Sequence, residues 1–380
     1  MHSKLPHVGT TIFTVMTQLA ARHEAINLSQ GFPDYDCPPQ LVSLVNQHMQ
    51  GGRNQYAPMS GVQHLREQIS AKVFDLYEVD YHPDTEITVT AGGTQALFTA
   101  IGTLIRPGDE VIIFEPAYDS YAPSVEVFGG IVKAVSLQAP DFSINWNEVQ
   151  SLVTEKTRLI IINTPNNPTS RVFTDADFQK LIRLTQGTNI YLLSDEVYEH
   201  IVFDGLSHRS ALQYPELRER SLIVASFGKL YHITGWKVGY TLAPASLTAE
   251  FRKVHQYNVF SVNTPVQYAL ADFLRDKDFY LQLGEFFQQK RDYLLKGLSE
   301  TLFKPLTCDG TYFLLANYSA ISEMKEADFC QDLTIRYGVA TIPVAAFYKE
   351  ETNQQVIRIC FAKKQETLEA ALEKLLTVAL

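Results

Sequence analysis

The sequence has 380 residues and a formal net charge of −10, because its 42 aspartate and glutamate residues outnumber its 32 lysine and arginine residues. This acidic balance disfavours partners with anionic surfaces, so we expect small metabolites as partners and neither nucleic acid nor a membrane. No apolar run approaches the roughly 18 residues that cross a bilayer, and the first residues lack the apolar core of a secretory leader, which favours a cytoplasmic location.

The predicted elements begin with an amphipathic helix over residues 10–22. From about residue 86 to residue 242, short apolar runs then alternate with longer amphipathic stretches. The runs are almost continuously hydrophobic, which is typical of strands covered on both faces, and they occupy residues 86–91, 111–114, 159–163, 190–194, 222–226 and 238–242. The pattern predicts an α/β fold with a mostly parallel sheet flanked by helices.

The C-terminal part of the chain predicts a smaller unit. Apolar positions at three- and four-residue spacing indicate helices within residues 265–301 and 364–380. Between them, residues 312–316 and 356–361 have the composition of strands. We expect the N-terminal helix to join this unit. The four cysteines are widely scattered and form no Cys-x-x-Cys pair, so we expect buried thiols and no metal site.

Ligands of open α/β sheets bind beyond the carboxyl ends of the strands, so polar residues at those ends are candidate site residues. Gly92, Gly93 and Thr94 follow the first apolar run and open an apolar helix, where free backbone N–H groups suit a phosphate. Asn167 lies in a loop rich in proline and asparagine after the third run, with its side-chain amide free. An ordinary turn is the alternative interpretation in both places.

Three further strand ends carry acidic, aromatic or basic candidates. Asp195 ends an apolar run, where a carboxylate needs a cation or a strong donor; a helix N-cap is the alternative. Tyr198 and Tyr118 are candidate contacts of a flat ring, and a core position is the alternative. Arg358 stands alone among apolar strand residues, where its guanidinium suits a carboxylate ligand or, alternatively, an internal ion pair.

Two lysines follow the apolar run 222–226. A lysine at the mouth of a buried strand, such as Lys229, is either desolvated and nucleophilic or paired with an anion. Lys237 lies eight residues later within Gly-Trp-Lys-Val-Gly, and Ser226 precedes both. One amine that forms a Schiff base and another that holds a phosphate are what pyridoxal 5′-phosphate (PLP) requires. Two solvated surface lysines are the alternative.

Taken together, these motifs resemble those of class I/II, fold-type I PLP-dependent aminotransferases. The chain contains Ser-x-Gly-Lys-x-x-x-x-Thr-Gly-Trp-Lys-x-Gly from Ser226, preceded by Asn-x-Pro-x-Asn-Pro and Ser-Asp-Glu-Val-Tyr in the family's order. The resemblance runs from about Thr10 to the C-terminus. It implies a large PLP-binding domain over residues 41–275 with a mostly parallel seven-stranded sheet, and a smaller α+β domain formed by residues 1–40 and 276–380.

The resemblance also implies roles for individual residues. Lys229 is the implied catalytic residue and forms the Schiff base with PLP. The other implied cofactor contacts are Gly92, Gly93, Thr94, Tyr118, Asn167, Asp195, Tyr198, Ser226 and Lys237. A homodimer is implied as well, in which Tyr56 reaches the cofactor phosphate of the neighbouring subunit. The implied substrate contacts are Gly31, Asn167 and Arg358 at the carboxylate, and Phe13 at the side chain.

Within the family, the segments 27–35, 54–61 and 234–240 are similar to the kynurenine aminotransferase/glutamine transaminase K group, and most of all to its bacterial methionine aminotransferase members. No motif supplies a second arginine for an acidic side chain, whereas Phe13, Tyr35 and Tyr118 offer aromatic walls. We therefore expect transamination of an uncharged amino acid with a 2-oxo acid acceptor, with methionine favoured over aromatic amino acids, kynurenine and glutamine.

Two alternatives to transamination remain at this point. A cysteine-S-conjugate β-lyase uses the same cofactor and the same substrate carbanion. A PLP-fold sensor without catalytic activity would need a basic DNA-binding domain, which this acidic chain does not offer.

Overall fold

The computed structural model describes residues 2–378 of the chain. Within them, the strands are β1 (Ile26–Asn27), β2 (Ile87–Thr90), β3 (Glu110–Glu115), β4 (Ile131–Ser136), β5 (Thr157–Asn163), β6 (Tyr191–Asp195), β7 (Ser221–Ser226), β8 (Gly239–Leu242), β9 (Lys304–Pro305), β10 (Phe313–Asn317), β11 (Val339–Ala340), β12 (Ile342–Pro343) and β13 (Val356–Cys360).

Helices surround these strands, and most of them are amphipathic. In the same part of the chain they are α1 (Ile12–Arg22), α2 (Pro39–Gln50), α3 (Gln63–Tyr77), α4 (Gly93–Leu104), α5 (Tyr121–Val127), α6 (Trp146–Leu152), α7 (Asp175–Thr185), α8 (Pro215–Arg218), α9 (Phe227–Leu230), α10 (Ala245–Asn258), α11 (Thr264–Phe273), α12 (Lys277–Leu281), α13 (Leu283–Leu298), α14 (Glu326–Tyr337) and α15 (Gln365–Leu375). Of these, none is long and apolar enough to cross a membrane.

Seven strands form the central sheet, in the order β2-β8-β7-β6-β5-β3-β4. The strand β8 runs antiparallel to both of its neighbours, and the other pairs are parallel. The mostly parallel seven-stranded sheet is therefore confirmed, and all six apolar runs form strands in it. The apolar runs do not include β4, an edge strand whose residues are mostly half-buried or exposed.

Both faces of this sheet are buried, which explains why its strands are almost continuously hydrophobic. In β5, Leu159 and Ile161 face a cluster under α4, α5 and α10, while Ile160 and Ile162 face the larger core on the other side. Side chains alternate along a strand, so a strand covered on both faces must be apolar at successive positions.

A second, four-stranded antiparallel sheet has the order β12-β13-β10-β9, and β1 pairs with β11 in parallel. The helices α1 and α14 pack beside it, and α13 packs against α15. The strands predicted within 312–316 and 356–361 are confirmed as β10 and β13, and the N-terminal helix does join this unit. The last two residues of the helix predicted over 364–380 lie outside the described residues, and the domain limits at residues 41 and 275 stay a prediction.

Candidate active site

A cavity of about 250 Å³ lies at the carboxyl ends of the central strands. Asn163 pairs in register with Asp195 at the ends of β5 and β6, and Ser226 ends the adjacent β7. Most of the predicted site residues line this cavity: Phe13, Gly31, Gly92, Gly93, Thr94, Tyr118, Asn167, Asp195, Tyr198, Ser226, Lys229, Lys237 and Arg358. The fold thus brings the candidates at the strand ends together with Phe13 and Gly31, which the resemblance implied.

Two predicted residues lie elsewhere. Tyr56 is 81% exposed and packs edge-on against Phe260, outside the cavity of its own chain. Tyr35, expected as a wall of the substrate pocket, does not line the cavity, because its ring packs against His232 and Phe286. The expectation for Tyr35 was therefore wrong for the pocket of this chain.

One end of the cavity is built for an anion. Gly92 has a φ of +83° and caps the N-terminus of α4, so the backbone N–H groups of the first turn have no partner within the helix. A Cβ atom on Gly92 would lie 3.4 Å from Nζ of Lys237, which shows how closely this amine approaches the turn. The hydroxyl of Thr94 lies 3.2 Å from the hydroxyl of Tyr118. The helix terminus and the exposed lysine together suit a phosphate group.

Asp195 lies deeper and is 3% exposed. Tyr121 donates its hydroxyl to Oδ2 of Asp195 at 2.6 Å, and burial raises the pKa of this carboxyl to about 6 despite that bond. A turn follows Asp195, so the alternative of a helix N-cap is wrong. Asn163 donates to the backbone oxygen of Asp195 at 2.9 Å and accepts from the backbone N–H of Asn167 at 2.7 Å, which links two predicted site residues.

Lys229 projects into the cavity from α9. Its Nζ lies 2.8 Å from the hydroxyl oxygen of Tyr312 and 3.4 Å from the backbone oxygen of Gly31. Burial lowers the pKa of Lys229 to about 8, and the nearby charges of Lys237 and Arg358 act in the same direction. The amine is therefore partly neutral near pH 8, so the alternative of a solvated surface lysine is wrong for this residue.

Arg358 is fully buried within β13. Its guanidinium donates to Oδ1 of Asn167 and to the backbone oxygen of Ser29, both at 2.8 Å, while its Nε has no partner. In the described part of the chain no carboxylate forms a salt bridge with it, so the alternative of an internal ion pair is wrong. Burial lowers the pKa of Arg358 to about 10. A buried cation without a counter-ion favours an anionic ligand.

Comparisons with known proteins agree with this geometry. The family model described as aminotransferase class I and II matches residues 23–375. The chain belongs to this family. It is 54% identical to a methionine aminotransferase of Escherichia coli, with 98% of this chain and 97% of the relative covered, and 33% identical to human kynurenine–oxoglutarate transaminase 1, with 94% and 93% covered.

Solved structures show the same fold. The crystal structure of the Escherichia coli methionine aminotransferase matches with a TM-score of 0.97 at 54% identity, covering 99% of this chain and 98% of the other. An N-succinyldiaminopimelate aminotransferase from Mycobacterium tuberculosis matches with a TM-score of 0.96 at 36% identity over the full length of both chains. The protein is thus a fold-type I, PLP-dependent aminotransferase that catalyses transamination.

The residues of this aminotransferase fit PLP. The buried carboxyl of Asp195 suits the protonated ring nitrogen, and the amine of Lys229 suits the aldehyde. The turn at Gly92, with Ser226 and Lys237 nearby, suits the phosphate. The ring nitrogen, the aldehyde and the phosphate of the cofactor therefore each have a counterpart in the cavity wall.

Sequence reasoning missed several residues at this site. Asn163, Phe32, Leu97, Val197 and Phe313 line the cavity, and Tyr121 and Tyr312 bond to residues in its wall. A signal was available for Asn163, which opens the Asn-x-Pro-x-Asn-Pro motif, and for Tyr121, three residues after Tyr118. Val197 lies in the Ser-Asp-Glu-Val-Tyr motif and Phe32 in the segment 27–35, whereas no motif marks Leu97, Phe313 and Tyr312.

Proposed function

We propose that this aminotransferase takes its amino group from an uncharged amino acid, with methionine favoured, and passes it to a 2-oxo acid. The observation that carries the proposal is the buried guanidinium of Arg358, which has no counter-ion, at a cavity whose lining also includes the aromatic side chains of Phe13 and Phe313. Within the described residues, the cations lining the cavity are Lys229, Lys237 and Arg358, and the first two suit the cofactor. A second carboxylate on the substrate would find no further cation among the described residues that line the cavity.

In this proposal, Arg358 and Asn167 bind the substrate carboxylate. Their mutual hydrogen bond at 2.8 Å orients the guanidinium, and the rings of Phe13, Phe313 and Phe347 surround it at 5.2, 4.0 and 5.3 Å. The aromatic surroundings exclude water, which strengthens the attraction between the two charges. Anchoring the carboxylate places the Cα–H bond of the substrate within the reach of one base.

Lys229 is the base that removes the proton from the substrate Cα. Its neutral amine is accessible near neutral pH because burial lowers its pKa to about 8. PLP supplies an electron sink for the electrons that this proton leaves behind. Asp195 keeps the proton on the ring nitrogen, and Tyr121 holds the carboxyl in place. Two half-reactions on one site predict ping-pong kinetics.

Methionine is favoured for two reasons. A thioether gains about 0.3–1.5 kcal/mol from each well-placed aromatic contact, and Phe13, Phe32, Tyr118 and Phe313 supply aromatic surface along the cavity. In addition, a relative that is 54% identical is a methionine aminotransferase. Aromatic amino acids, kynurenine and glutamine are the other uncharged donors that fit this wall chemistry.

The same proposal includes a homodimer and a cytoplasmic location. The exposed aromatic side chains of Tyr56 and Tyr257 support an interface, since large exposed aromatic surface is commonly covered by a partner. Tyr56 would then reach the cofactor phosphate in the neighbouring subunit. The four cysteines are all free, which suits a reducing compartment.

A panel of amino-acid donors tests the substrate. Each donor is mixed with the PLP-loaded enzyme in a single turnover, and conversion of the PLP absorbance band to that of the pyridoxamine form is recorded. We expect methionine to react fastest and aspartate at least about tenfold more slowly, since a carboxylate that loses its water without gaining a cation costs about 1.4 kcal/mol or more. Faster conversion with aspartate or glutamate than with methionine would contradict the proposal.

A further inference from the structure

Tyr312 forms contacts with three predicted residues of the candidate site. Its ring lies just before β10 and is buried against Tyr198, and its hydroxyl donates to the backbone oxygen of Gly31 at 2.7 Å. The same hydroxyl oxygen lies 2.8 Å from Nζ of Lys229. Nζ of Lys229 also lies 3.4 Å from the backbone oxygen of Gly31, so these three groups form a closed triangle of hydrogen bonds.

Counting protons determines the direction of each bond in the triangle. A tyrosine hydroxyl has one proton, and the short contact commits that proton to Gly31. The oxygen of Tyr312 can therefore only accept from Lys229. A neutral lysine amine has two N–H bonds and one lone pair, and the two oxygens of Tyr312 and Gly31 accept both N–H bonds. The lone pair is left without a partner in the triangle and is directed away from both acceptors.

We propose that Tyr312 is a positioning residue that orients the lone pair of Lys229 toward the substrate Cα. The inference rests on the proposed role of Lys229 as the base. A free lysine side chain samples many orientations of its amine, and removing a proton requires one of them. The two acceptors restrict rotation about the last bonds of the side chain, and Gly31 lines the same cavity as Arg358, the residue proposed to bind the substrate carboxylate.

The ring of Tyr312 also has a packing role, which the test must separate from the role of the hydroxyl. The ring contacts Tyr198, Phe287 and Phe313 at centroid distances of 5.2, 5.5 and 4.9 Å. The substitution Tyr312→Phe keeps this ring and removes only the hydroxyl. Tyr81→Phe is the matched control, because Tyr81 is also buried, its hydroxyl has no hydrogen-bond partner, and it does not line the cavity.

The first measurement compares single-turnover rates with ordinary methionine and with methionine deuterated at Cα. For Tyr312→Phe we expect the rate to fall about three- to tenfold, the usual worth of one neutral hydrogen bond. The deuterium isotope effect should rise, because proton transfer becomes slower relative to the other steps. The KM for methionine should stay unchanged, since Arg358 is intact. Tyr81→Phe should match the wild type in all three values.

The second measurement uses the apoenzyme and needs no substrate. The acetylation of Lys229 is followed by mass spectrometry as a function of pH, and its midpoint gives the pKa of the amine. The oxygen of Tyr312 stabilises an ammonium more than a neutral amine, so its loss should shift the midpoint of Tyr312→Phe to lower pH. Tyr81→Phe should leave the midpoint in place.

The inference is overturned if Tyr312→Phe keeps the wild-type rate and midpoint, or if the variant raises KM while its rate and isotope effect stay unchanged. If the proposal of methionine as the substrate is wrong, the result differs from both of these outcomes. In that case the wild type itself reacts poorly with methionine, and the midpoint of the apoenzyme still reports on Tyr312.

Discussion

Lys229 and Lys237 are eight residues apart in the sequence, yet the fold places their amines in opposite environments. Lys229 lies within hydrogen-bond distance of Tyr312, and burial holds its pKa near 8. Lys237 adopts a left-handed backbone conformation with a φ of +55°, remains exposed, and extends toward Gly92. One lysine suits a covalent bond to an aldehyde, and the other suits a phosphate charge.

The lowered pKa of Lys229 predicts a pH dependence for loading the apoenzyme with PLP. Only the neutral amine reacts with the aldehyde, so the rate of covalent attachment should rise with pH and level off once the amine is deprotonated. With a pKa of about 8, we expect the plateau to begin near pH 8 to 9. Stopped-flow absorbance between about pH 6 and 10 measures the rate. A rate that continues to climb to pH 10 would indicate an ordinary exposed lysine.

At the residue scale, the sequence predicted the side chains that belong to contiguous motifs. Asp195, Asn167 and Lys229 follow apolar runs and line the cavity as expected. Tyr312 could not be predicted in this way, because its partner Gly31 lies 281 positions away in the chain. Such a contact depends on how the N-terminal segment packs against the C-terminal strands of the smaller unit, which no local pattern encodes.

At the scale of secondary-structure elements, the site is formed by residues at the ends of strands and at the starts of helices. The parallel strands β5, β6 and β7 end at the same edge of the sheet, where Asn163 pairs with Asp195, and Ser226 lies two residues beyond Val224, the partner of Asp195 in β7. The apolar runs predicted these three strands because both faces of the sheet are covered. The edge strand β4 was not predicted, for the opposite reason. Its residues are mostly half-buried or exposed, so its hydrophobic pattern resembles that of a surface segment.

The turn before α4 gives a test of the phosphate site. An alanine at position 92 must adopt a φ of +83°. Its Cβ would lie 3.3 Å from Cε of Lys237. We expect Gly92→Ala to weaken PLP binding about tenfold or more, because the added methyl group displaces Lys237, and relief of a backbone strain of about 1–3 kcal/mol moves the turn that suits the phosphate. Equilibrium titration of the apoenzyme with PLP measures this change.

Gly108→Ala is the matched control for this substitution. Gly108 has a φ of +90°, and a Cβ added there would meet no atom within 4 Å, so the variant shares the backbone strain without touching the site. It should lower the melting temperature and leave PLP affinity unchanged. Equal losses of PLP affinity in both variants would show that general destabilisation, and no local effect at Lys237, explains the result.

A buried ion pair joins three elements behind the site. Nζ of Lys72 in α3 lies 2.5 Å from Oε1 of Glu199, after β6, and 3.0 Å from the hydroxyl of Tyr240 in β8. Burial raises the pKa of Glu199, but Lys72 and His200 together outweigh burial and hold that pKa well below its ordinary value. We expect Lys72→Met to lower the free energy of unfolding by about 3–5 kcal/mol, because it leaves a buried carboxylate unpaired. Urea titration measures the change.

The exposed pair of Lys253 and Glu250 provides the comparison for Lys72. Its atoms are 2.6 Å apart, yet both side chains are more than half exposed. Lys253→Met should change stability by less than about 0.5 kcal/mol, since solvent screens such pairs. Similar losses for both variants would contradict the importance assigned to burial.

At the scale of the whole molecule, the resemblance to aminotransferases predicted the seven-stranded sheet and a second α+β unit, and the structure contains both. The proposed homodimer predicts an active site that includes residues of two subunits. Tyr56 lies outside its own cavity, so in the proposal each site combines Lys229 of one subunit with Tyr56 of the other. A shared site of this kind is open to a complementation test.

Subunit mixing provides that test. Lys229→Ala and Tyr56→Ala are each expected to be impaired alone at limiting PLP. When the two variants are co-expressed, about half of the dimers should be mixed, and each mixed dimer should contain one intact site. Activity should recover to about a quarter of the wild-type value. No recovery in isolated mixed dimers would mean that Tyr56 acts within its own subunit or has no role at the site.

The most direct measurement of the central claim identifies the lysine that carries PLP. The loaded enzyme is reduced with borohydride, which makes the bond between the cofactor and its lysine permanent, then digested and analysed by mass spectrometry. The buried amine of Lys229 predicts the added mass on the peptide that contains Lys229, with Lys237 unmodified. Added mass on Lys237, or on neither lysine, would contradict the assignment of the site.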